Sequence, residues 1–331
     1  MAREIVVNGR FLSRRVTGVE RYGREILSLI GDRCRVEKTR LNGFPGHAWE
    51  QFVLPTKIKS SSILWSPANT GPLLVRNQAL TIHDLSPLEH PEWFNPSFAL
   101  WYRLFLPVLA KRVNAIFTPS EYVRQKVKER FGSKSIVVTF NGVDPSVFHP
   151  TARQTHFDLP EKYILFVGSI QPRKNLAGLK RAWGEIKKMF KDRWLIVAGG
   201  TGTVFRRENI PDEDQLGFLG HVSDDDLPGL YAGAELFIFP SLDEGSALPA
   251  LEAMACGTPV IVSNGGALPE VVGDAGLIFD LSAPASLAEK IREALSNTAL
   301  REWLTQRGLA RAKQFSWQTS AKILRDTLHE F

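Results

Sequence analysis

Two glutamates in a Glu-x7-Glu arrangement, Glu244 and Glu252, bracket the run Gly-Ser-Ala-Leu-Pro-Ala-Leu. Carboxylates so placed can accept hydrogen bonds from the paired hydroxyls of a sugar and a ribose, or they can simply favour a helix dipole and stand in water. Leu236 to Pro240 reads as a buried strand, and Leu248 to Ala255 as a short helix with Pro249 in its first turn and Gly257 just past its end, the positions each residue favours. The amides of Gly245, Ser246, Ala247 and Leu248 then stand at a helix N-terminus, where unpaired donors and the helix dipole suit a phosphate. Gly245 would let a ligand approach the backbone closely.

Three further stretches carry candidate chemistry. Gly168 opens a loop after an apolar run, and Arg173 and Lys174 end it just before a helical pattern; a planar fork beside a compact charge suits a diphosphate, although adjacent basic residues also occur simply solvated. Thr17-Gly18 opens another helical pattern with Arg21 one turn on, so the Gly18 amide could meet a phosphate, or the turn could be an ordinary strand-to-helix connection. His83 and Asp84 follow the apolar run Ala79 to Ile82, at the carboxyl edge of a strand where ligands gather, and could serve as sugar contact, metal ligand or base. Two Asp-x-Asp pairs, Asp212/Asp214 and Asp224/Asp226, could hold a divalent cation, but Ser223 to Asp226 is better explained as a capped helix start.

Apolar runs alternate with helical patterns along the chain, which predicts parallel sheets flanked by helices. A polar, proline-containing stretch over 141–163 interrupts the alternation, and the pattern then restarts. The predicted architecture is α/β: an N-terminal Rossmann-like domain over 1–150, a second over 151–315, and a C-terminal helix over 316–331 that returns towards the first. Two such domains facing one another would leave a cleft.

Of 331 residues, 44% are hydrophobic, enough for two cores. Positions 1–150 hold 21 Lys/Arg against 12 Asp/Glu, whereas 151–331 hold 20 against 23, so the first half is the one expected to meet an anionic partner. Residues 93–112 mix aromatics with Arg103, Lys111 and Arg112, a composition suited either to a membrane interface or to a buried helix pair with basic ends. Cys34 and Cys256 have no metal-ligand or disulfide spacing. The N-terminal residues lack a leader pattern, which predicts a cytoplasmic protein, peripheral at most on the inner face of the membrane.

The order of these segments, and above all Glu-Gly followed by Leu-Glu-Ala-Met-Ala-x-Gly-x-Pro-Val, resembles the retaining glycosyltransferases of family 4, which have the GT-B fold. The likeness covers nearly the whole chain. It implies transfer of a hexose from a nucleotide diphosphate sugar to a saccharide or lipid-linked saccharide acceptor; the general abundance of UDP donors puts UDP-glucose first and GDP-mannose next. It implies that Glu244 holds the hexose hydroxyls, Glu252 the ribose, Arg173 and Lys174 the diphosphate, and Gly18, with Arg21, the same phosphates. It further implies a donor-sugar contact for His83, an acceptor-side role for Asp84, and nucleobase contacts from the backbone of His221 and Val222. GT-B enzymes generally neutralise the leaving group with basic side chains, so neither a metal nor any other cofactor is expected. Ser246 and Ala247 depart from the family's usual Glu-Gly-Phe-Gly, which leaves the hexose open.

A non-catalytic nucleotide-sugar-binding partner of another transferase is the alternative. A dinucleotide oxidoreductase is disfavoured because no Gly-x-Gly-x-x-Gly follows the first strand, and a nucleic-acid binder because no recognised motif accompanies the charge.

Overall fold

A computed structural model describes residues 3–132, 135–152, 155–200, 214–283 and 285–331. The chain divides into two compact units: Met1–Pro91, Pro96–Gly142 and Ser316–Phe331 form the first, and Glu92–Asn95 and Val143–Phe315 the second.

The first unit is built on β1 (Ile5–Asn8), β2 (Cys34–Glu37), β3 (Ile63–Ser66), β4 (Gln78–Thr81), β5 (Ala115–Thr118) and β6 (Ser135–Val138). All pairings are parallel, in the order β2-β1-β3-β4-β5-β6. Its helices in this stretch are α1 (Gly18–Ile30), α2 (Gly43–Ala48), α3 (Ser86–Glu89), α4 (Pro96–Arg112) and α5 (Glu121–Phe131). The strands β1, β3, β4 and β5 are buried at every position, as expected of parallel strands covered by helices on both faces.

Residues 96–112 form one helix rather than a helix pair, with Pro96 at its start and Pro107 inside it. Pro107 offers no amide to the preceding turn and so weakens the helix there. Packing compensates, because Ala99, Tyr102, Phe105, Leu106, Leu109 and Ala110 form a buried stripe at helical spacing.

The second unit contains β7 (Tyr163–Val167), β8 (Trp194–Ala198), β9 (Leu216–Gly220), β10 (Leu236–Phe239), β11 (Val260–Ser263) and β12 (Leu277–Phe279), in the order β12-β11-β10-β7-β8-β9. Its helices are α6 (Leu176–Ile186), α7 (Leu227–Gly233), α8 (Leu248–Ala255), α9 (Leu268–Val272), α10 (Ala285–Ser296) and α11 (Thr298–Ala312). The buried cluster around Phe166, Trp183, Val197, Ile238 and Ile291 joins the central strands to α6 and α10. After β9 the chain crosses back to lay β10 beside β7 on the side opposite β8. The carboxyl ends of β7 and β10 therefore flank a topological switch point, where sheets of this kind leave room for a ligand.

The last helix, α12 (Trp317–His329), belongs to the first unit. Its Trp317 ring meets Tyr22 of α1 edge-on at 6.0 Å, and Ser320 Oγ donates to the Phe140 carbonyl at 2.6 Å. A Cβ at Gly142 would stand 2.2 Å from the Trp317 amide nitrogen, so only glycine allows this approach. Among the described residues no helix is long and apolar enough to cross a membrane.

Candidate active site

The loops after β7 and β10 are sewn together by backbone. Gly168 follows β7 at φ +157°, and beside it, just after β8, a Cβ on Gly199 would lie 1.8 Å from the Gly168 carbonyl oxygen, so the β8 loop can start there only as glycine. A 3-10 turn over Pro172–Lys174 ends at Asn175, which adopts the left-handed conformation at φ +52°. Asn175 Nδ2 donates to the Pro240 carbonyl at 3.1 Å, and the Leu242 amide donates to the Arg173 carbonyl at 2.8 Å.

That stitching brings Lys174 Nζ to 2.6 Å from Glu244 Oε1 and Arg173 Nη1 to 3.7 Å from Glu244 Oε2. Lys174 Nζ also sits 4.5 Å from the centre of the Phe239 ring, a favourable place for a cation. Glu244 is 6% exposed and Lys174 9%. Burial opposes the Glu244 charge, but the Arg173 and Lys174 charges and the Lys174 hydrogen bond outweigh it and hold the carboxyl below its ordinary range. Glu244 is thus an ionised acceptor held by two cations at the switch point.

Glu252 lies in the middle of α8, buried, with its Oε2 accepting from Tyr231 Oη at 3.0 Å. Ala247 occupies the N-cap position of α8 and makes no side-chain cap, because alanine has no acceptor to offer. Gly245, Ala247 and Leu248 are buried and Ser246 is half-buried. A second wall was not anticipated: the Ala267 amide donates to the Glu244 carbonyl at 2.8 Å, and a Cβ on Gly266 would lie 2.4 Å from the Glu244 backbone. The Gly265-Gly266 pair between β11 and α9 is the local signal that could have found it, since Gly266 has φ +61°.

His221 is exposed and Val222 buried immediately after β9. Asp226 is already engaged: His156 Nδ1 approaches it at 2.7 Å and Ser223 Oγ donates to it at 2.8 Å. The His156 hydrogen bond, with Ser223, lowers its carboxyl to about 2. This Asp-x-Asp therefore serves the turn before α7. Of the other pair, Asp212 lies outside the described residues.

In the first unit, Gly18 is exposed at the start of α1, and no atom lies within 4 Å of where its Cβ would be. Arg21 follows one turn on, its amide donating to the Thr17 carbonyl at 2.8 Å. His83 is buried just past β4, with Nε2 2.7 Å from the Pro67 carbonyl oxygen and its ring 5.0 Å from Tyr22. A carbonyl only accepts, so Nε2 carries the proton and Nδ1 is left as an acceptor. Burial keeps His83 neutral by lowering its affinity for a second proton. Asp84 Oδ1 accepts from the Ser86 amide at 3.0 Å and so starts α3. The fold gathers Gly18, Arg21, His83 and Asp84 at the carboxyl edge of the first sheet, and Arg173, Lys174, Glu244 and Glu252 at that of the second.

A buried polar cluster beside β1 also went unanticipated. Glu50 Oε2 lies 2.9 Å from Arg10 Nη1, while Glu50 Oε1 accepts from Asn8 Nδ2 at 2.7 Å and Thr70 Oγ1 at 3.1 Å. Arg10 and Glu50 are separated by forty positions, and no local pattern announces the pair.

The family described as "Glycosyl transferases group 1" matches residues 149–311, and "Glycosyltransferase Family 4" matches residues 61–147. The chain is 31% identical over 361 residues to the O-antigen chain mannosyltransferase B of Escherichia coli, covering 92% of this chain and 93% of that one. It is 30% identical over 237 residues to the O-antigen chain mannosyltransferase RfbU of Salmonella typhimurium, covering 69% of this chain and 64% of that protein. In fold it is similar to a sucrose-phosphate synthase from Thermosynechococcus elongatus, with a TM-score of 0.78 at 17% identity over 99% of this chain and 98% of that one. Anabaena HepE in complex with UDP-glucose gives a TM-score of 0.78 at 17% identity, over 99% and 100% of the two chains. Both structural likenesses concern fold alone. Identity and coverage at the level of the first relative, together with the two family matches, establish that the chain belongs to the family 4 glycosyltransferases, with the GT-B fold.

Proposed function

We propose that the protein transfers a hexose, with retention of anomeric configuration, from a nucleotide diphosphate sugar to a saccharide or lipid-linked saccharide acceptor in polysaccharide assembly. The observation that carries this reading is the buried, ionised Glu244 clamped by Lys174 and Arg173 at the switch point of the second sheet. Glu244 accepts hydroxyl protons of the donor hexose and Glu252 those of the ribose, with Tyr231 fixing the orientation of Glu252. Arg173, Lys174 and the 245–248 amides neutralise the departing diphosphate, a preorganised donor array of the type that contributes most to many rate enhancements. The glycosidic bond to the phosphate breaks as the acceptor oxygen approaches the same face. The acceptor proton passes to the leaving phosphate, so no metal is required.

The sequence does not settle the donor, and the general abundance of UDP donors puts UDP-glucose ahead of GDP-mannose. The relatives named as mannosyltransferases favour mannose, and we therefore place GDP-mannose first. Thermal unfolding with UDP, GDP, UDP-glucose, GDP-mannose and NAD, with and without magnesium, tests the donor. A ligand at a hundred times its Kd adds about 2.7 kcal/mol, enough to raise Tm by about 4 °C. A magnesium-independent rise with GDP and GDP-mannose alone is expected; a rise with NAD alone would overturn the reading.

Gly18→Ala tests the first loop. A methyl group there meets nothing within the fold, so Tm should stay within about 1 °C, while the methyl holds a phosphate off the amide and donor KM rises about tenfold, the scale of one weakened phosphate hydrogen bond. Unchanged kinetics would remove Gly18 from the site.

The competing reading is a non-catalytic nucleotide-sugar-binding partner, favoured by the Ser246-Ala247 departure. Turnover by the isolated protein decides against it.

A further inference from the structure

We infer that Tyr22 is a positioning residue for the proposed reaction: its ring fixes the orientation of His83, and Trp317 at the start of α12 braces Tyr22 in turn. The inference rests on the reading above, with His83 offering an acceptor to a sugar hydroxyl at the carboxyl edge of the first sheet.

The fold holds His83 from three sides. Its amide donates to Asn69 Oδ1 at 2.7 Å, and Asn69 has φ +61°, the left-handed conformation that few non-glycine residues adopt outside supported sites. Its Nε2 donates to the Pro67 carbonyl at 2.7 Å, which fixes the tautomer. Those two bonds still leave the ring some tilt about its second side-chain torsion, whose minima are broad. Tyr22 takes up that tilt: the two rings meet edge to face, 5.0 Å between centres with 83° between planes, an arrangement that ring quadrupoles favour.

Tyr22 is itself fixed. Its Oη lies 2.8 Å from Thr139 Oγ1, just past β6, and its ring packs edge-on against Trp65 of β3 at 6.4 Å and Trp317 at 6.0 Å. The backbone of Trp317 rests directly on Gly142, so the brace has little room to move. Tyr22, Trp65, His83 and Trp317 are all buried, and the stack keeps water from the imidazole. The C-terminal helix thus reaches His83 through two ring contacts.

The same packing sets the protonation of His83. Burial keeps the ring neutral against the pull of Asp84 beside it and of Glu20 on α1, the latter paired with Arg14. An imidazole lowered in this way remains an acceptor at Nδ1 as pH falls below the ordinary histidine value of about 6.5. Water admitted beside the ring raises the value again, and turnover then fails at a higher pH.

The test compares Tyr22→Phe, Tyr22→Leu and Trp317→Leu with His83→Gln, reading kcat, the acidic limb of its pH profile and the nitrogen NMR signals of the imidazole. Tyr22→Phe keeps the ring and should hold kcat within about twofold, since the edge contact survives. Tyr22→Leu should lower kcat about tenfold or more, the scale of a small misplacement at a reaction centre. Its acidic limb should move up towards about pH 6.5, and His83 should lose its single Nε2–H tautomer. Trp317→Leu should shift the same readouts in the same direction by less, and it carries the test if Tyr22→Leu does not fold. Slow turnover with an unmoved acidic limb and native imidazole signals would mean a merely structural role and overturns the inference. Native turnover by His83→Gln overturns the role of His83 and the inference with it, whereas slow His83→Gln beside native Tyr22→Leu overturns the inference alone.

Discussion

Glu244→Ala is expected to slow glycosyl transfer about 10²–10³-fold, the scale of losing one preorganised polar contact at a reaction centre, while nucleoside diphosphate binding is retained or becomes tighter. The asymmetry follows from the resting arrangement. Lys174 lies 2.6 Å from Glu244, with Arg173 close by, so a diphosphate must compete with a buried carboxylate for both cations. Removing that carboxylate removes the competitor and leaves both cations more available to the diphosphate. The hexose loses its hydroxyl acceptor in the same step. Isothermal titration with the nucleoside diphosphate and with the nucleotide sugar, alongside turnover, separates the effects. If diphosphate affinity falls in parallel with turnover, Glu244 supports the loop structure and does not hold the sugar.

Glu50→Ala should lower folding stability by about 3–5 kcal/mol, the usual cost of leaving a buried charge without its partner. Arg10 is 3% exposed and Glu50 1%, so water cannot replace the lost carboxylate. Burial opposes the Glu50 charge, yet His47, Arg10 and Asn8 outweigh it and hold its carboxyl below the ordinary range. A depressed carboxyl stabilises the fold fully above the unfolded glutamate value of about 4.3 and loses that contribution as pH falls through the folded value. Denaturant unfolding of the native protein and Glu50→Gln should therefore differ most near neutral pH, and the difference should start to shrink below about pH 4.3 and vanish only once the pH is below the folded value. The paired variant Arg10→Met/Glu50→Leu should recover much of the loss, because apolar side chains of similar volume remove both charges together. A small effect of Glu50→Ala alone would mean that Arg10 can turn out to solvent.

How much of this was legible depends on the distance over which each feature is specified. The strands β7, β8 and β10 announce themselves as unbroken apolar runs, because each is buried on both faces. The bounds of α8 follow from Pro249 and Gly257, and α5 was read from its own periodicity between Ser120 and Gly132. The edge strands β2 and β12 gave no such run: β2 is half-buried throughout, and β12 has only three residues. β3 is wholly buried, yet its apolar run is only Ile63 to Trp65, set between serines, and so is too short to announce a strand.

The candidate site divides in the same way. Glu244, Glu252, Arg173 and Lys174 could be chosen from residue type and local spacing, since a carboxylate before a helix and a basic pair before another are local patterns. Their salt bridge could not be chosen, because it joins positions seventy residues apart and exists only after the crossover has set β10 beside β7. The Tyr231 hydroxyl on Glu252, the Gly266 wall behind Glu244 and, in the first unit, the Arg10–Glu50 pair likewise join residues far apart in sequence. On α4 the sequence supplied the prolines, aromatics and cations, whereas packing determined which face is core and which is exposed. The sequence by itself determined the elements, their α/β alternation and the chemical types available at each strand end, because propensity and pattern act within a few residues. Only the tertiary structure decided which of those groups meet and which charges are buried, because pairing and desolvation depend on strand order.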